Sequence, residues 1–261
     1  MIMIRHELRQ NRVSFWAWTL SIGFLIAVCI VIFPEMKGQM DGIGEIFASL
    51  GSFSEAFGMD KISFGTFLGF YSVECGNILG IGGAFFAALC GISALAKEEK
   101  QHTAEFLFTH PVGRTRVITQ KLLAILIQIL AMNLLVFALA VGAVALTGEP
   151  IPLREMALLH MANLLLQIEV AGVCFGVSAF LRRGELSIGM GIAILLYFLG
   201  IVANLSEGAA FLRVITPFGY TEGADILANG SLDGGLILCG MAYTVVGILT
   251  AYRKYTGKDL S

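Results

Sequence analysis

The chain has 261 residues, 57% hydrophobic and 14% charged, with a formal net charge of -2 and a mean hydropathy of +0.82. Soluble domains average roughly 45–50% apolar and about 25% charged residues, so an ordinary cytosolic enzyme, a disordered chain and a secreted disulfide scaffold are excluded. The apolar residues stand in long runs, which makes lipid the solvent for most of the chain.

A spanning helix needs about 20 mostly apolar residues, at about 1.5 Å each across about 30 Å of hydrocarbon. Residues 1–12 precede the first such run. They carry Ile2, Ile4 and Leu8 with Arg5, Arg9 and Arg12, which fits an amphipathic helix at the membrane interface or a basic leader that only sets topology. The first span is expected at Val13–Phe33, without a charge. Its length and the Pro34-Glu35-Met36-Lys37 that follows argue for a retained helix rather than a cleaved leader. An outer loop at 34–63 places Ile43, Ile46, Phe47, Leu50, Phe53 and Phe57 at helical spacing, a stripe suited to resting on the membrane or capping the spans. The second span begins between Phe64 and Asn77 and ends near Ala96. The third covers Leu122–Leu146, the fourth Met156–Leu181, the fifth Leu186–Asn204 and the sixth Gly234–Tyr252. A turn-rich Thr147–Pro152 joins the third to the fourth. The loop at 205–233, with Thr216-Pro217-Phe218-Gly219, is apolar enough to dip into the bilayer, where its backbone must be shielded by protein or a water-filled cavity.

Six spans put both termini on one side. With the termini inside, the cytoplasmic pieces 1–12, 97–121, 182–185 and 253–261 hold 13 of the 17 basic residues. Only Lys37, Lys61, Arg154 and Arg213 fall outside. Basic residues mark the cytoplasmic side, so the predicted fold is an all-α integral membrane protein, a single transmembrane domain over 1–261 with cytoplasmic termini. Cys29, Cys75, Cys90, Cys174 and Cys239 lie in or beside apolar runs, without a CxxC pair, and read as free thiols packed as small apolar groups.

The loop 97–121 carries dense charge up to Glu105. Thr103 is a fitting N-cap for a short helix showing Phe106, Leu107 and Phe108, ended by Pro111 and Gly113. An apolar knob flanked by charge suits docking to another protein; the alternative is a solvated loop folded onto headgroups.

This segment resembles ABC-2 type export permeases: an acidic pair (Glu98, Glu99), Thr103, a Glu-Leu-Leu-like stretch (Glu105 to Phe108), Pro111-Val112-Gly113-Arg114, and Lys121 opening a span. The usual glycine before the threonine is His102 here. The six-span layout and the Thr-Pro-Phe before the last span extend the likeness along the chain, toward the bacitracin-resistance, sodium-extrusion and copper-enzyme-maturation permeases. The resemblance implies a type V exporter-like body in a prokaryotic cytoplasmic membrane. It also implies a second permease copy and a separate ATP-binding subunit, which holds ATP and magnesium; this chain needs no cofactor and no nucleic acid. It further implies that Glu98, Glu99, Thr103, Glu105, Phe106, Leu107, Pro111, Arg114 and Lys121 serve the contact with the ATPase. The chain itself has no G-x-x-x-x-G-K-[ST] phosphate cradle.

Within the spans, Glu169 is the outstanding polar group. A carboxyl there costs about 2.5–3.5 kcal/mol on insertion scales and should face protein or water. It is a candidate for the transport path or for a proton-sensitive step, with Gln128 and Asn133 of the third span as expected partners and Gln167 directed elsewhere; a protonated or hydrogen-bonded carboxyl gluing helices is the structural alternative. Glu74 lies nearer an interface and is expected to be solvated. Gly76-x-x-x-Gly80 and Gly172-x-x-x-Gly176 suit close helix contact, within one subunit or between two. An autonomous carrier or channel would favour several charges facing one cavity and paired repeats, of which the sequence shows one buried acid and no repeat. No metalloprotease, serine-hydrolase or paired-aspartate motif supports an intramembrane enzyme.

Overall fold

A computed structural model describes residues 2–49, 51, 65–100, 113–181, 186–205 and 207–257; the side chains of 2, 38–49, 96–100 and 207 fall outside that description. Among the described residues the chain is helical without a strand, and six helices are long and apolar enough to cross a membrane.

Helix α1 (Ile2–Gln10) precedes α2 (Arg12–Ser49), the first span. α2 continues through Pro34, so the expected loop at 34 begins instead as helix. A proline removes one backbone donor and crowds the preceding turn, and here the helix absorbs both effects. The stripe from Ile43 to Phe57 lies among side chains outside the described residues.

The second span is composite. α3 (Phe67–Cys75) is capped by Thr66, whose Oγ1 accepts from the Gly69 N–H at 3.2 Å. A π-helical segment, Gly76–Ile81, leads into α4 (Gly82–Lys100). α5 (Arg114–Thr147) is the third span. Its 34 residues amount to about 50 Å, more than the roughly 30 Å hydrocarbon layer. The excess lies in the polar first turns, where α1 packs. α5 ends at Gly148, whose φ of +74° needs a residue without Cβ.

α6 (Leu153–Ser178) is the fourth span and the centre of the body, packed between α4 on one side and the last span on the other. α7 (Leu186–Leu205) is the fifth. Two 3₁₀ helices (Glu207–Val214 and Pro217–Tyr220) and α8 (Gly223–Asn229) lead to α9 (Gly234–Thr256), the sixth, capped by Asp233 Oδ1 accepting from the Gly235 and Leu236 N–H groups.

Burial divides these helices. The apolar window is 67% buried in the second and fourth spans but 22% in α7 and 17% in α9, so the inner pair meets protein and the outer pair meets lipid. Lipid tails are as apolar as leucine, so close packing rather than water exclusion holds such helices together. The Gly172–Gly176 pair does this inside one subunit: Gly172 lies on Thr244 and Gly176 on Gly247 of α9, where a methyl on Gly176 would stand 2.7 Å from the Gly247 carbonyl oxygen. The Gly76–Gly80 pair falls in the π segment, where Gly76 faces open space and Gly80 faces Asn163.

The loop after α7 enters the helical body. Thr216 donates from Oγ1 to the carbonyl of Leu196, midway along α7, at 2.6 Å. Pro217, Gly219 and Tyr220 are buried, and Phe218 packs against Gly200. Protein therefore shields the backbone that the sequence places at depth. Arg213 ties the loop together through Asp225 (3.2 Å), Glu222 (3.0 Å) and Asn204 (2.9 Å).

Candidate functional site

Two regions carry the candidate residues. The first is the cytoplasm-facing end that the sequence predicts. Glu98 and Glu99 stand on the last turn of α4, their side chains outside the described residues. Thr103, Glu105, Phe106, Leu107 and Pro111 lie in 101–112, also outside them. Arg114 opens α5 and donates to the carbonyl of Thr256, at the end of α9, at 3.2 Å. Lys121 is buried, its side chain 1% exposed, and pairs with Glu7 of α1 at 2.9 Å. Its ammonium faces protein and fastens α1 to α5. Arg114 and Lys121 thus link α1, α5 and α9 at one end of the body.

The second region surrounds Glu169, which is 2% exposed within α6. Its expected partners are not its partners. Asn133 donates from Nδ2 to Gln167 Oε1 at 2.7 Å, and Gln128 donates to the carbonyl of Ala124 on its own helix. The reason is helical phase: two residues turn about 200° around the axis, so if Gln167 faces α5, Glu169 faces away. It faces α9 and the inserted loop instead, where Tyr220 donates from its hydroxyl to Oε1 at 2.9 Å. Tyr220 is itself buried, so this bond is made away from water. Glu169 Oε2 is buried without a hydrogen-bond partner among the described residues. It lies against Gly240 of α9, where a methyl group would collide with the carboxyl.

Glu169 and Gly240 line a cavity of about 630 Å³ between α6, α9, α7 and the inserted loop. Its wall is apolar apart from Glu169, Tyr243 and Thr250. Val246 and Phe180, both more than half exposed, stand at its mouth. The arrangement can hold an apolar body and offer it one carboxylate.

Other polar groups inside the body are engaged in part, since Thr19 Oγ1, Gln128 Oε1, Asn133 Oδ1, His160 Nδ1 and Asn163 Oδ1 are also buried without a hydrogen-bond partner among the described residues. Gln167 Nε2 donates to the carbonyl of Leu79 in the π segment at 3.4 Å while its Oε1 accepts from Asn133. His160 shares a 2.7 Å hydrogen bond with Tyr71 of α3. Glu74, expected to be solvated, is half-buried and accepts from the Cys29 thiol at 3.8 Å. None of the five cysteines forms a disulfide. Among the described residues no group of three His, Cys, Asp or Glu side chains converges on one point.

Sequence reasoning did not find Tyr220, Gly240 or Glu7. Each meets its partner across 50 residues or more, and none carries a local pattern that names it. A family model described as "ABC-2 family transporter protein" matches residues 1–260. Comparison with curated proteins finds no match. With six apolar spans and a family match over nearly its whole length, the chain belongs to the ABC-2 family of transporter proteins and is the multi-pass membrane permease component of an ABC transporter.

Proposed function

We propose that the chain is the membrane subunit of an ATP-driven exporter, working as two permease copies with two separate ATP-binding subunits, with both termini in the cytoplasm of a prokaryotic plasma membrane. The observation that carries this reading is the family match over residues 1–260 in a sequence without a phosphate cradle. The excess of basic residues in the pieces between even-numbered and odd-numbered spans supports the orientation.

In this reading ATP and magnesium belong to the partner, and residues 97–121 are the foot the partner grips. Closure of the ATP-binding subunits pushes on Phe106 and Leu107, with Glu98, Glu99, Thr103, Glu105 and Pro111 shaping the contact. The push reaches the spans through α4 and α5, which flank the foot. The tie from Lys121 to Glu7 and that from Arg114 to the end of α9 let α1 and α9 move with α5 as one body.

Co-expression with the ATPase encoded beside this chain tests the reading. The two subunits co-purify, and Phe106→Asp with Leu107→Asp separates them while the permease stays folded. Retained assembly in the double variant refutes the placement of the contact. Uphill solute movement by the purified chain alone in vesicles refutes dependence on a partner and establishes an autonomous carrier.

A further inference from the structure

We propose that the cavity beside Glu169 is a binding site for lipophilic cations, entered from the bilayer. Three observations converge on it. The cavity, about 630 Å³, falls in the range that receives drug-sized molecules, roughly 300–1,000 Å³. Its wall is almost wholly apolar, and its mouth, at Val246 and Phe180, lies on side chains exposed on the surface of the chain. Its polar end is a carboxyl with one oxygen bonded by Tyr220 and the other without a partner.

Charge decides the class of ligand. A bound cation would hold the carboxyl ionised, and Tyr220, a neutral donor to Oε1, leaves that charge uncompensated. No Lys, Arg or His lines the cavity, and no salt bridge to Glu169 occurs among the described residues. Lys254 is set 5.7 Å over the ring of Phe180, at one edge of the cavity. Phe180 lies 11 residues beyond Glu169, roughly 16 Å at helical rise, too far to neutralise it. A lipid tail in the cavity leaves Oε2 unpaired, which a buried carboxylate does not tolerate. A cation with an apolar body satisfies both the wall and the acid. Gly240 keeps the seat open, since any side chain there occupies the carboxyl's place.

The site lies within this chain alone, so it is tested without the ATPase, and its outcome is independent of the exporter reading. The purified chain in lipid nanodiscs is titrated with radiolabelled tetraphenylphosphonium, using tetraphenylborate, an anion of the same shape, as competitor. The expected result is saturable phosphonium binding that tetraphenylborate does not displace. Glu169→Gln, which keeps the shape and removes the charge, weakens it about 10- to 100-fold. Val246→Trp, a change at an exposed rim position, blocks the cavity and abolishes binding even if Glu169→Gln fails to fold. Unsaturable binding, displacement by tetraphenylborate, or wild-type affinity in either folded variant overturns the proposal.

Discussion

The two faces of α6 solve the same problem in different ways. On the face toward α4 and α5, Gln167 uses both ends of its amide, one to Asn133 and one to the Leu79 carbonyl. It fits so closely against Gly83 that an added methyl there would collide with it. On the opposite face, Glu169 uses one oxygen, leaves the other unpartnered and borders open volume. A polar side chain that is bonded on both ends and tightly packed holds helices in register. One that is half-bonded beside a cavity holds little and is available for a ligand. The contrast is instructive because both residues are buried and stand two positions apart.

The largest effect comes from removing the frame that both faces share. Gly176→Leu forces α6 and α9 apart at Gly247 and is expected to cost about 3 kcal/mol or more, seen as loss of the monodisperse peak in detergent size-exclusion chromatography. Next, Gln167→Leu removes two bonds between helices, although Asn133 still donates to the Ile129 carbonyl and Leu79 still accepts from the Gly82 N–H, and is expected to lower stability by about 1 kcal/mol, measured by thermal unfolding in detergent. A double-mutant cycle of Asn133→Ala with Gln167→Ala is expected to return a coupling of about 0.6 kcal/mol, the common size for hydrogen bonds between spans; zero coupling would remove Gln167 from its assigned role. The smallest effect is at Glu169→Gln, which keeps the Tyr220 hydrogen bond and is expected to change stability by less than about 0.5 kcal/mol. A loss there equal to that of Gln167→Leu would erase the distinction between the faces.

These faces were only partly legible in the sequence. The spans were readable because runs of 20 or more apolar residues have no other economical structure. The opposite bearings of Gln167 and Glu169 follow from helical pitch alone. What Glu169 meets did not follow, because Tyr220 lies 51 residues on, in a loop whose entry into the body depends on Thr216 reaching Leu196. The start of the second span stayed vague between Phe64 and Asn77 because Glu74 and Asn77 interrupt an otherwise apolar and small-residue stretch from Phe67 to Gly82; the Thr66 cap that sets the boundary is a single local hydrogen bond. Pro34 misled for the converse reason: a strong local breaker sits in a helix long enough to carry it. Of the residues assigned to the ATPase contact, Arg114 and Lys121 are placed with full side chains: Lys121 is buried against α1, and the half-buried Arg114 bonds the end of α9 at the surface.

The π segment of the second span, Gly76–Ile81, has a consequence for the gene. A π bulge amounts to one surplus residue in an α-helix, so a one-codon deletion there leaves a continuous rod still long enough to traverse the bilayer. The wider π turn absorbs the surplus residue, so its loss leaves the turns on either side close to their present bearings: Tyr71 stays near His160, and the change falls on the Leu79 carbonyl that meets Gln167 inside the π segment, a local rewiring that hydropathy profiles would not notice.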